Sequence, residues 1–146
     1  MSEDTTTIER ALAQEMIERA LADPRQQFGS FFLSRLLGFQ VSFEGERCIV
    51  EFEATRILFN PQGTLHGGIL ATAMDVSMGH LLQHTDGAGA TLTMTVDFLA
   101  PAKAGLVRCE ASFLRRGRSI SALKSEALQD NAIVAHATAT WKLRPK

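Results

Sequence analysis

Between Asn60 and Gly79 the chain reads NPQGTLHGGILATAMDVSMG, and two features of that stretch could do chemistry. The first is the pair Gly67-Gly68, directly after His66 and at the entry to a long apolar run. Glycines at a helix entry let the backbone approach a ligand closely, and the first turn of a helix holds N–H groups with no intrahelical acceptor. The helix dipole adds partial positive charge there, so the position suits an anion or a developing oxyanion. The second feature is Asp75, about two turns further on. Its helical neighbours at minus four, minus three, plus three, plus four and plus seven are Ala71, Thr72, Met78, Gly79 and Leu82. A carboxylate in that company is costly to bury without a partner or a purpose.

Other reactive side chains form weaker patterns. Arg115, Arg116 and Arg118 flank a turn and suit the phosphates of a cofactor-like substrate as guanidinium clamps, or else form a solvated hairpin tip. His80 and His84 have the i, i+4 spacing of a metal pair, but no Glu follows His80 and no third ligand is apparent, so no metal is expected. Cys48 and Cys109 fall in strand-like patterns without ligand spacing and read as reduced, buried thiols. Gly87-x-Gly89 follows a helix rather than a strand and lacks a third glycine, so it is not a nucleotide fingerprint.

The elements that must position these residues follow from periodicity. Ile8, Leu12, Met16 and Ala20 have helical spacing, with Thr5-Thr6-Thr7 as a possible cap and Asp23-Pro24 as the stop. Gln27 to Leu37, carrying Phe28, Phe31 and Phe32, reads as a short helix or docked loop: a lid over the core edge, or a lining for an apolar pocket. Phe39, Val41 and Phe43, then Cys48, Val50 and Phe52, alternate on either side of the turn Glu44-Gly45-Glu46. After the helix from about Gly67 to Gln83, four strand-like runs follow: Thr91 to Leu99, Leu106 to Arg115, Ser119 to Leu128 and Ile133 to Leu143. Asp130-Asn131 marks the last turn, and Ile133, Ala135, Ala137, Ala139 and Trp141 are expected on one side of the final strand. Two strands, one long helix and four strands give an α+β fold with one curved antiparallel sheet. The helix is apolar nearly all round, which predicts burial on every side by the sheet or by a second subunit. The exposed sheet edge is a natural place for such pairing.

Length and composition bound the rest. With 146 residues, 45% hydrophobic and 21% charged, the chain reads as one globular domain of residues 1–146, with a helical extension over 1–37 and a core over 38–146. A net charge of −1 supplies no field for nucleic acid or an anionic membrane. The opening MSEDTTTIERA is not a secretory signal and no run is long enough for a membrane span, so a cytoplasmic location is expected.

Taken together, Asn60-x-x-Gly63-x-x-His66-Gly67-Gly68, followed by Asp75 in the next helix, resembles the signature of hotdog-fold acyl-CoA thioesterases of the PaaI-like type, relatives of phenylacetyl-CoA and 4-hydroxybenzoyl-CoA thioesterases. The resemblance extends through Thr95-Val96-Asp97-Phe98-Leu99-Ala100-Pro101 and Val134-Ala135-His136-Ala137-Thr138-Ala139-Thr140-Trp141, covering the chain from about Phe39 to its end. It implies a long central helix wrapped by the sheet, paired into a homodimer with shared active sites and often a dimer of dimers, a homotetramer. It implies an acyl-CoA substrate and no cofactor. The N–H of Gly67 would polarise the thioester carbonyl, and Asp75 of the other subunit would attack or activate water. Asn60 and His66 would orient the site, and Thr91, where the family often has Ser, would help hold water. Gly68 and the three arginines would meet the substrate.

The chemistry asks for little more. Preorganised backbone donors stabilise the oxyanion, and a carboxylate delivers oxygen as nucleophile or as general base. Within one helix, Gly67 and Asp75 are about 12 Å apart at ~1.5 Å per residue, too far to grip one carbonyl together, which favours a site shared between subunits. Two rival readings stay in the same fold. A hydratase or dehydratase on acyl thioesters would pair a His with an acid, and a non-catalytic acyl-CoA-binding module would bind without turnover.

Overall fold

In the computed structural model, which describes residues 3–146, the order is α1 (Glu3–Leu21), α2 (Phe32–Leu37), β1 (Gln40–Glu44), β2 (Arg47–Ala54), a 3-10 turn (Arg56–Leu58), α3 (Gly67–Thr85), β3 (Gly89–Phe98), β4 (Gly105–Arg115), β5 (Ile120–Gln129) and β6 (Ala132–Leu143). Thr5-Thr6-Thr7 lie within the first turns of α1 rather than capping it, because the helix already runs at Glu3. The first two residues of the predicted extension lie outside the described residues.

All six strands join one antiparallel sheet in the order β1-β2-β4-β5-β6-β3. Turn chemistry sets two of its hairpins. Gly45 takes φ 60 between β1 and β2, and Asp130-Asn131 take φ 52 and 62 between β5 and β6, the left-handed pair that suits a two-residue hairpin. β3 crosses the sheet to pair with β6 and leaves its other side open as an edge.

The apolar residues of α3 pack on β2, β4 and β5. Leu70, Ala73, Met74, Met78, Leu81 and Leu82 meet Val50, Phe52, Val107, Cys109, Ala111 and Leu123 in the core. Each thiol is free and buried, and burial pushes that of Cys48 up to about 12, as expected of unreactive core residues. Burial of α3 on every side is not what the protomer provides. Ala71, Thr72, Asp75, Val76 and Gly79 remain half-buried along a stripe that the sheet does not cover.

The predicted face of β6 is also corrected at one end. Ala135, Ala137, Ala139 and Trp141 point into the core, but the register with β5 slips between Ala127 and Leu128. That irregularity turns Ile133 outward, 44% exposed, and buries Val134 in its place.

The N-terminal extension is clasped by two arginines. Arg19 of α1 donates from Nε to Arg35 O at 2.5 Å and from Nη2 to Leu36 O at 2.9 Å, satisfying carbonyls at the end of α2. Arg35 returns the contact by donating to Ala20 O at 3.1 Å and Arg25 O at 2.9 Å. Between the helices, Gln27 and Ser30 close a tight turn with reciprocal backbone bonds of 3.1 Å.

Candidate active site

α3 begins at His66, whose φ of −60 and ψ of 128 hold it outside the helix as N-cap. Its Nδ1 accepts the Gly68 N–H at 2.9 Å, so the imidazole stands in for a capping carboxylate or hydroxyl. A ring accepting at Nδ1 carries its proton on Nε2. A Cβ on Gly68 would lie 3.1 Å from that ring, so the imidazole would have to give by a few tenths of an ångström. The Gly68 N–H is therefore engaged by His66. The Gly67 N–H is different: it donates to no group among the described residues. The ring of Phe98, at the end of β3, lies over it, since a Cβ on Gly67 would sit 3.1 Å from Phe98 Cε1 and Cζ.

Asn60 shapes the loop that leads into this helix. Its Oδ1 accepts from Gln62 N at 2.9 Å and Thr64 N at 3.3 Å, while Nδ2 donates to Thr64 Oγ1 at 3.0 Å. Leu65 N donates to Ala102 O at 2.9 Å and His66 N to Leu58 O at 2.9 Å, which ties both sides of the helix entry to neighbouring segments. Asn60, Gly67, Phe98 and Pro101 line a cleft of about 340 Å³.

Asp75 lies elsewhere. It lines a second cleft of about 390 Å³ with Gly79, Gly89 and Trp141. Thr72 does not satisfy it, because that hydroxyl donates to Gly68 O at 2.8 Å. Its partner is Thr91, at the start of β3, which donates from Oγ1 to Asp75 Oδ1 at 2.8 Å. Desolvation pushes the carboxyl above its usual range, and the Thr91 hydroxyl opposes that only in part. The second carboxylate oxygen makes no hydrogen bond among the described residues. Asp75 is thus brought to Thr91, and Asn60 to Gly67, with His66 capping the helix beside it; Asp75 and Gly67 line separate clefts of one protomer.

The arginines divide. Arg116 forms an ion pair with Asp86, its Nε donating to Oδ2 at 3.1 Å, and lies 5.1 Å from the Phe113 ring centroid. Arg115 and Arg118 are exposed, and neither makes an ion pair among the described residues. The two helix histidines do not converge. His80 spends both nitrogens on backbone, with Nδ1 toward Val76 O at 2.9 Å and Nε2 accepting from Gly29 N at 2.8 Å, while His84 stacks on Phe43 at 3.9 Å.

Sequence reasoning gave His80, Gly79 and Trp141 no part in the site, yet all three line the Asp75 cleft with Phe28 and Phe31. The clearest available signal was Gly79, one helical turn after Asp75 and otherwise unexplained within a helix. A Cβ there would come within 2.8 Å of Trp141 Cη2.

A long helix laid on a six-stranded antiparallel sheet with β3 at its edge, and with a free glycine N–H and an acid on that helix, defines the hotdog fold of the PaaI-like type. Residues 55–142 match the family described as acyl-CoA thioesterase N-terminal domain, and the chain belongs to that family. The medium/long-chain acyl-CoA thioesterase YigI of Salmonella typhimurium is 30% identical over 98 residues, 55% of this chain. That match spans 63% of the relative's own length. A phenylacetic acid degradation-related protein of Ralstonia eutropha superposes with a TM-score of 0.73 at 30% identity, covering 90% of this chain and 99% of that one. A Bacillus halodurans protein solved with CoA has the same fold at a TM-score of 0.82, with 22% identity and 94% of each chain covered. No helix among the described residues is long and apolar enough to cross a membrane.

Proposed function

We propose that this chain hydrolyses acyl-CoA thioesters to the free acid and coenzyme A. The observation that carries the reading is the free Gly67 N–H at the start of the same helix that holds the half-buried Asp75. The Gly67 N–H polarises the thioester carbonyl. Asp75 acts as general base: it takes a proton from water, whose oxygen attacks the carbonyl carbon. The C–S bond then breaks, and the thiolate leaves to be protonated as free coenzyme A. A proton affinity raised by burial brings the carboxylate closer to the working range of a base at neutral pH. His66 and Asn60 are positioning residues that hold the helix entry, and Thr91 orients Asp75. Arg115 and Arg118 are the guanidinium groups free to meet phosphate.

The two clefts belong to one site shared between two copies. β3 runs from Thr91, bonded to Asp75, to Phe98, which lies over Gly67, and its outer side is an unpaired edge. Antiparallel pairing of two such edges sets the Thr91 end of one copy beside the Phe98 end of the other. That places the Asp75 of each chain next to the Gly67 of its partner.

The test is thiol release from a panel of straight-chain, benzoyl and phenylacetyl CoA thioesters. Release from at least one is expected. Tight binding of the panel without thiol release would refute hydrolysis, and hydration of an enoyl-CoA without it would reassign the reaction.

A further inference from the structure

The Asp75 cleft extends away from the carboxylate toward a wall that comes from the N-terminal extension. Phe28 and Phe31, from the turn before α2, line it together with Gly79 and Trp141. No Lys or Arg lines it, and its one imidazole has both nitrogens engaged. A pyrophosphate would find no cation there. The part of a thioester that fits beyond Asp75 is therefore its apolar acyl group.

The turn that closes the cleft hangs on His80. Gly29 N donates to His80 Nε2 at 2.8 Å, and the His80 Nδ1–H is fixed by Val76 O at 2.9 Å, one helical turn back. Phe31 stacks on the imidazole with ring centroids 6.0 Å apart, and Phe28 meets it edge-on at 5.2 Å. On its other side the turn is tied to α2, with Phe32 N donating to Gln26 Oε1 at 2.5 Å and Arg35 Nη1 donating to Ser30 Oγ at 3.2 Å. The imidazole thus sets how far both phenyl rings stand from Asp75.

We propose that the Gln26–Phe31 turn, positioned by His80, is the end wall of the acyl pocket and limits the substrate to acyl groups of medium length. This rests on the thioesterase reading of Asp75. A cleft of about 390 Å³ stands near the lower end of the ~300–1,000 Å³ seen for ligand pockets, which suits a chain that stops at the turn rather than one that passes it.

The experiment measures kcat and KM across straight-chain acyl-CoAs from acetyl to palmitoyl. It compares wild type with Phe31→Ala, Phe28→Leu, His80→Leu and His80→Gln. For wild type, kcat/KM rises about fourfold per added methylene until the chain meets the turn, then stops rising. Phe31→Ala and His80→Leu move that limit to longer chains, and the shift is read in KM against chain length. Phe28→Leu moves it less. His80→Gln, whose carboxamide oxygen can accept the Gly29 N–H, returns the wild-type profile. Identical profiles for all variants, or an equal loss at every chain length, would overturn the assignment. Calorimetry of wild type and Phe31→Ala with non-hydrolysable alkyl-CoA thioethers separates the two readings. Should no thioester be cleaved while affinity still climbs with chain length and Phe31→Ala extends the climb, hydrolysis fails and the wall stands.

Discussion

Gly67→Pro removes one hydrogen atom's worth of chemistry and little else. Gly67 is the first residue of α3, where proline is well tolerated because the missing N–H would have no intrahelical acceptor. The preceding residue must be extended, and His66 already has ψ 128. The Gly67 N–H has no protein partner to lose. The added Cβ meets only Phe98, which is 56% exposed and free to give by the few tenths of an ångström required. The fold should therefore survive. Loss of a preorganised oxyanion donor lowers kcat by about 10²–10³, or ~2.7–4 kcal/mol. Asp75→Asn should lose a comparable or larger factor, about 10²–10⁴, as the general base goes. Mixing the two variants then decides whether the site is shared. A mixed dimer has one site with Gly67 and Asp75 both intact and one site with neither. A one-to-one mixture assembling at random, read by thiol release, should recover about a quarter of the wild-type rate from two nearly dead parents. No recovery, with mixed dimers shown to form by native mass spectrometry, would mean that Gly67 and Asp75 act within one chain or not together. Full activity of Gly67→Pro alone would remove the N–H from the mechanism.

Asp75→Asn should melt higher than wild type at neutral pH, by calorimetry. The native carboxyl binds its proton more tightly than the unfolded one at 3.8, so native stability falls as pH rises through that window, and the advantage of Asn disappears as pH is lowered toward 3.8. A single turnover in ¹⁸O-water should put the label in the product acid if Asp75 is a base toward water; label found first in the Asp75 carboxylate would make it the nucleophile. Arg115→Ala and Arg118→Ala should each raise KM for acyl-CoA up to about fivefold with kcat kept, because an exposed ion pair is worth at most ~1 kcal/mol. Gly79→Ala should destabilise by up to about 2 kcal/mol in urea melts: overpacking against Trp141 costs ~1–3 kcal/mol, and helix propensity returns ~1 kcal/mol. A stabilisation of about 1 kcal/mol, the propensity gain alone, would show that the indole yields to the methyl group.

Local patterns carried the elements, and contacts distant in sequence carried the site. The helix from Gly67 and all six strands were legible because each keeps one period between turn residues. The phase of β6 was legible from Ala135 onward but not at Ile133, because the irregularity beside Leu128 depends on how two strands meet. Sheet order was not legible, since nothing in β3 itself says that it pairs with β6 rather than with β4. The same limit applies to His80. Its spacing from His84 suggests a metal pair, but its lone pair is taken by a backbone N–H 51 residues earlier. Thr91 could be tied to Asp75 only through a family resemblance, because a loop intervenes and the bond forms between a helix and an edge strand. Trp141 has no signal beyond alternation, yet its indole is what makes Gly79 a glycine. Its Nε1–H is also the one buried side-chain donor among the described residues with no partner, so the wall of the Asp75 cleft carries an unsatisfied group.

The edge strand unites these observations. β3 is long for an edge and carries exposed Leu92 and Phe98, so left open it invites pairing with another chain. From Thr91 to Phe98 it spans about 23 Å at ~3.3 Å per residue, against about 12 Å of helix rise between Asp75 and Gly67. Neither distance lets one chain present both groups to one carbonyl. A two-fold pairing of the strand closes the gap without moving either group, because it brings opposite ends of β3 together. The pairing would also cover the half-buried stripe of α3 that carries Asp75, raising its proton affinity further by desolvation. Assembly and activity are then coupled, so thiol release per protomer should fall as dilution separates the copies, and a rate per protomer unchanged on dilution to the monomer would refute the shared site.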